Sequence, residues 1–153
     1  MTTLLLCYDG SDQARHAIVE AARLFPGARS VVLNIWKPSE AVGGGFELSG
    51  IDGNGRAWSA GNETARRESA ELAHEAARLA QVHGLIPLPA EQPMGGSVWE
   101  TVIHTARALG VGLIVTGGRG LSGLRGLVAG SLSLRLIQHS DTPVLVIPTP
   151  KDN

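Results

Sequence analysis

Residues able to do chemistry are concentrated in two places. One is the glycine-rich run "TGGRGLSGLRGLVAGS" (Thr116–Ser131), and the other is "CYDGSD" near the start. The run holds six glycines, two arginines and no acid, directly behind the apolar "VGLIV". A glycine inside a regular element costs about 0.5–1 kcal/mol relative to alanine. So many glycines mean either a flexible surface loop or a backbone that must come close to a ligand. Gly117 and Gly120, at the end of the apolar run, would let main-chain N–H groups reach a phosphate with no Cβ in the way. Gly130-Ser131 stands where a helix begins, and unpaired N–H groups with the positive end of the helix dipole favour an anion there. Ser131 and Ser133 add hydroxyl donors. Between Gly117 and Ser140 lie Arg119, Arg125 and Arg135 and no acid, so the local charge is positive although the chain carries −1 overall. The chemistry is that of an anion site.

Two familiar glycine codes do not account for the run. A Walker-type phosphate loop needs Lys followed by Ser or Thr, and the only lysines are Lys37 and Lys151. The dinucleotide pattern G-x-G-x-x-G is matched by Gly118–Gly123. That pattern should open a helix at once and have an acid at the end of the following strand. Here Gly126 and Gly130 follow, and Asp141 precedes the last strand.

Other reactive side chains have plainer readings. The histidines at 16, 74, 83, 104 and 139 fall on predicted helices without metal-ligand spacing. Cys7 reads as a small buried hydrophobe in a strand. G-x-S-x-G is absent, so no nucleophile elbow forms. Glu63, Arg66, Arg67, Glu68, Glu71 and Glu75 read as the solvated face of a helix. Trp58 would either pack its loop over a ligand or join a subunit contact.

The elements that must position these groups alternate. "TLLLCY" (3–8) is a short apolar run of the kind buried on both faces of a sheet. Ser11 then caps a helix with Ala14, Ala17, Ile18, Ala21 and Phe25 on one stripe, ended by Pro26-Gly27. "SVVLNIW" (30–36) is a second strand. A helix over 65–82 follows, then a weak strand, "LIPLPA" (85–90), which prolines 87 and 89 confine to an edge. Ser97 to Glu100 has the form of a capping box, opening a helix that buries Val98, Val102, Ile103, Ala106 and Leu109. "VGLIVT" and "PVLVIP" are the last two strands, with a helix over about 131–139 between them. Such alternation predicts a parallel sheet covered on both faces. Ligands then bind beyond the carboxyl ends of the strands, at the switch in strand order. The loops after Tyr8, Trp36 and Thr116 become the site walls. Gly43 to Gly61 holds seven glycines in nineteen residues and reads as a mobile lid or a disordered loop.

At 153 residues, 43% hydrophobic and 18% charged, the chain reads as one globular domain. Its balanced charge gives no general pull towards nucleic acid or an anionic membrane. A single cysteine suits a reducing compartment, and "MTTLLLCYDGSD" lacks the form of a signal peptide or a membrane span. A cytoplasmic location is expected.

The spacing Gly117, two residues, Gly120, nine residues, Gly130-Ser131 resembles the nucleotide loop of the universal stress protein family. The opening "LLLCYDGSDQARHAIVEAARL", the stretch "SVWETVIHTARALGVGLIVTGGRG" and the close "GSLSLRLIQHSDTPVLVIP" are similar to that family too. The resemblance spans almost the whole chain and departs mainly at 43–61. It implies a single-domain, Rossmann-like α/β fold with an open parallel five-stranded sheet, strand order 3-2-1-4-5. It implies binding of ATP, or of AMP or ADP, in a stress-responsive switch. Cys7, Tyr8 and Ile35 would line the adenine pocket, with the backbone near Ile35 reading the base. Asp9 would lie by the ribose or by a metal-bound phosphate, with Mg2+ or Mn2+ bridging the phosphates; its other reading is a turn residue that starts the first helix. Thr116, Gly117, Arg119 and Gly120 would hold ribose and phosphates, and Gly130, Ser131, Leu132 and Ser133 the triphosphate. A homodimer paired through the last strand, Val144–Ile147, is implied as well. Efficient hydrolysis is not expected, because no general base stands out; a slow ATPase and a dimeric module without nucleotide are the rival functions.

Overall fold

The computed structural model describes residues 2–39, 60–118 and 131–151. Nine elements run in strict alternation. They are β1 (Leu4–Cys7), α1 (Asp12–Leu24), β2 (Arg29–Trp36), α2 (Ala60–Val82), β3 (Ile86–Pro93), α3 (Val98–Leu109), β4 (Leu113–Gly117), α4 (Ser131–His139) and β5 (Val144–Ile147). The five strands form one parallel sheet in the order β3-β2-β1-β4-β5, as expected.

β1 is central, which is why its leucines run without interruption: Leu4, Leu5 and Leu6 are at most 1% exposed. The strand period of two divides them between the two faces. Leu4, Leu6 and Tyr8 pack with α1 and α2, through Ala17, Ile18, Ala21, Ala76 and Ala80. Leu5 packs on the other face with Val102, Ile103 and Ala106 of α3 and Leu136 of α4. The alanine stripes of α1 and α2 bring those helices close to the sheet without large side chains.

β3 occupies the edge that its prolines require. The Ile86 and Met94 N–H groups donate inward to the Ala28 and Trp36 carbonyls, at 2.9 and 2.8 Å. Even-numbered residues of β3 therefore face β2. Pro87, Pro89 and Pro93 fall on the open side, where their missing N–H groups cost no ladder bond and discourage further pairing.

Two local expectations shift. α2 begins at Ala60 rather than Ala65, so Gly61 belongs to the helix; the polar turn "GNET" has no apolar period to reveal it. In α3 the buried face is Thr101, Val102, Ile103, Thr105 and Ala106, whereas Val98 and Leu109 are exposed. Burial of the threonines is possible because their hydroxyls donate to the Ser97 and Thr101 carbonyls, both at 2.8 Å. The rest of the 43–61 loop, with Trp58, lies outside the described residues.

Candidate functional site

The carboxyl ends of β1, β2 and β4 enclose a cleft of about 250 Å³. It lies where the chain order reverses about β1, the position at which open parallel sheets bind ligands. Its base is set by β1. After Cys7 the chain leaves the sheet through Asp9, whose Oδ1 accepts the Ser11 N–H at 3.0 Å. Ser11 Oγ then accepts the Ala14 N–H at 3.2 Å and caps α1. Asp9 is thus a turn residue and a wall of the cleft at once.

Eight of the site residues anticipated from sequence line this single cleft: Cys7, Tyr8, Asp9, Ile35, Thr116, Gly117, Ser131 and Leu132. Ser133 is 1% exposed, and its hydroxyl donates to the Gly117 carbonyl at 3.3 Å. Its donor braces α4 against β4 instead of facing the cleft. Arg119, Gly120 and Gly130 lie outside the described residues.

Cys7, Leu33, Ile35, Val98 and Val102 give the cleft apolar walls. The first turns of α1 and α4 present Ser11, Gln13, Ser131 and Leu132 to it. Val98 begins α3, so three helix N-termini border the cleft. Each brings the positive end of a helix dipole. The arrangement can take a ligand with a flat apolar part and an anionic part.

The Cys7 thiol is pushed up to about 12, first by burial and then by the Asp9 charge. It stays protonated and serves as apolar wall. Tyr8 reaches the cleft, yet its hydroxyl donates to Glu75 Oε1 on α2 at 2.8 Å, and Arg15 Nη2 donates to the same oxygen at 2.7 Å. Burial, then the bond to Glu75, raises the Tyr8 phenol; the Arg15 and Tyr8 donors hold Glu75 below the usual carboxylate value. Glu75, on the exposed face of α2 as its spacing suggested, also ties the end of β1 and α1 to α2. Among the described residues no group of three or more His, Cys, Asp or Glu side chains could hold a metal.

Gly117 also has a different reason for being glycine. Its φ is not positive. A Cβ built there would lie 2.9 Å from the Gln13 carbonyl oxygen. The residue lets α1 approach β4.

Sequence reasoning missed Asn34, Val98 and Val102 as walls. The capping box at Ser97 was the available signal for the valines, since it puts the start of α3 at the carboxyl edge of the sheet. For Asn34 it was an amide in the middle of "SVVLNIW".

The fold defines a doubly wound α/β protein with a cleft at its switch point. The sequence matches the universal stress protein family over residues 1–148, and the chain belongs to that family. A curated relative from Thermus aquaticus, the universal stress protein in the QAH/OAS sulfhydrylase 3' region, is 29% identical over 150 residues, covering 95% of this chain and 97% of the relative. A crystal structure of a universal stress protein family member from Burkholderia pseudomallei is 25% identical, with a TM-score of 0.67 and coverage of 97% of this chain and 96% of that one. A universal stress protein solved in complex with cAMP is similar in fold, at 21% identity, a TM-score of 0.65 and 96% coverage of both chains. Among the described residues, no helix is long and apolar enough to cross a membrane.

Proposed function

We propose that the cleft binds an adenine nucleotide, ATP or its shorter forms AMP and ADP, and that the chain is a nucleotide-dependent regulator of a stress response in the cytoplasm. The observation that carries this reading is a cleft with apolar walls at Cys7, Ile35 and Val102, bordered by the N-termini of α1, α3 and α4. A purine fits the apolar walls and phosphates the helix N-termini. The cAMP complex of a structural neighbour supports the same ligand class. In this reading Ile35 meets the base, and Asp9, Thr116 and Gly117 border the ribose. Ser131 and Leu132 offer the α4 N-terminus to the phosphates, while Ser133 holds that helix in place. Arg119, Gly120 and Gly130 complete the phosphate cradle, and Asp9 faces a phosphate-bound Mg2+ or Mn2+. A nucleotide that prefers one arrangement of the loops shifts their population by its differential affinity.

The chain acts as a homodimer in this reading, paired through Val144–Ile147. Ile114 of β4 and Gly118 just after it donate to the Pro143 and Ile147 carbonyls, so Val144 and Val146 present their backbone groups to the open edge. Such an edge invites a partner strand.

Calorimetry of the purified chain with ATP, ADP and AMP in the presence of magnesium tests the nucleotide. One site per chain is expected, lost in Gly130→Val with the fold retained. No heat with any of the three, and no nucleotide released on denaturing the purified protein, would overturn the reading. Phosphate release above background that disappears in Asp9→Ala would instead favour the slow ATPase.

A further inference from the structure

The backbone ladder between β1 and β2 stops one rung early. Its last bond runs from the Tyr8 N–H to the Leu33 carbonyl, at 2.9 Å. Odd-numbered residues of β2 therefore face β1, and the next rung would be the Ile35 N–H on the Tyr8 carbonyl. Among the described residues that rung is not made. Asn34 Nδ2 holds the Tyr8 carbonyl at 2.8 Å instead. The amide is fixed in turn by α2, because Ser69 Oγ donates to Asn34 Oδ1 at 2.6 Å. Both side chains are buried, Asn34 at 6% and Ser69 at 2% exposed. The Tyr8 carbonyl only accepts, so the amide meets it with its NH2 and turns its oxygen to the Ser69 hydroxyl, which holds it there. Ile35 is half-buried and lines the cleft among its apolar walls.

We propose that Asn34 and Ser69 are positioning residues for base recognition: by occupying the Tyr8 carbonyl they keep the Ile35 N–H available to the cleft. This rests on the adenine-nucleotide reading. An N–H donor at the base selects a purine edge with an acceptor. Adenine N1 accepts, whereas hypoxanthine N1 carries a hydrogen and opposes a donor. Asn34 and Ser69 thereby make the site discriminate adenine from its deaminated analogue, without touching the base.

Two variants remove the device at different points. Asn34→Leu keeps the branched shape and deletes the amide; Ser69→Ala keeps the amide and deletes its brace. In both, the Ile35 N–H can close onto the Tyr8 carbonyl. Amide hydrogen exchange of the nucleotide-free chain reads this directly. Ile35 exchanges readily in the wild type and becomes protected in Asn34→Leu, and partly so in Ser69→Ala. Calorimetry with AMP and IMP then reads selectivity. AMP affinity falls about five- to tenfold, the worth of one hydrogen bond, and the AMP:IMP preference falls with it. If Ser69 acts only through Asn34, the double variant matches Asn34→Leu alone. A merely structural role would lower thermal stability and weaken both nucleotides equally, leaving the ratio unchanged. Unchanged exchange at Ile35 in both variants overturns the proposal, whatever the nucleotide results. If Asn34→Leu does not fold, Ser69→Ala decides alone. Wild-type protein that binds neither AMP nor ATP overturns the adenine reading, and selectivity with it, while exchange still reports whether the rung is withheld.

Discussion

Replacing Gly117 with alanine separates two reasons for a glycine at the end of β4. If the residue only allowed a phosphate to approach, Gly117→Ala would leave the nucleotide-free protein as stable as before and weaken binding alone. The structure says otherwise. The added Cβ would sit 2.9 Å from the Gln13 carbonyl oxygen and 3.1 Å from its carbonyl carbon, both main-chain atoms of the first turn of α1. A main-chain carbonyl in a helix cannot swing aside as a side chain can, so α1 or β4 must move. Overpacking of this kind typically costs about 1–3 kcal/mol. Gly→Ala also stiffens the unfolded chain, which returns about 0.4–1 kcal/mol where the native backbone accepts alanine. The net expectation is about 1–2 kcal/mol of destabilisation, or a Tm lower by about 2–8 °C for a domain of this size. Denaturant and thermal unfolding of nucleotide-free wild type and Gly117→Ala measure it. Binding should weaken as well, because the first turn of α1 is a wall of the cleft. An unchanged Tm would refute the packing account.

Ser97→Ala removes the cap of α3, whose Oγ accepts the Glu100 N–H at 3.3 Å, and should lower stability by about 1 kcal/mol in denaturant unfolding. Glu75 is held below its ordinary value of 4.5 by Arg15 first and Tyr8 second. A depressed carboxylate contributes stability above its unfolded pKa and loses it as pH falls through the folded one. Below about 4.5, Glu75→Gln should therefore show a shallower loss of stability with acid than wild type, read from unfolding curves at successive pH values. The Cys7 thiol, pushed up to about 12, should react with a thiol reagent at pH 8 about two to three orders of magnitude more slowly than a free cysteine. Rapid labelling of the folded chain would contradict its place in the wall.

The sequence by itself determined the order of the elements and much of the site. Apolar runs, helical stripes, the caps at Ser11 and Ser97 and the prolines of β3 are local signals, each readable within a few residues. That is why β1, α1, α4 and the edge position of β3 were legible. The switch-point rule pointed to the loops after Tyr8, Trp36 and Thr116, and the family resemblance named Cys7, Asp9, Ile35, Thr116 and Ser131 in and beside them. Tertiary structure alone decided which partner each side chain took. Glu75 meets Tyr8 and Arg15 across 67 and 60 residues of chain, and Ser69 meets Asn34 across 35. Gly117 meets the main chain of Gln13 because β1 and β4 are neighbours and α1 crosses over them. None of these contacts has a periodicity in the sequence. They depend on how far each helix slides and rolls on the sheet, and packing against every other element settles that at once.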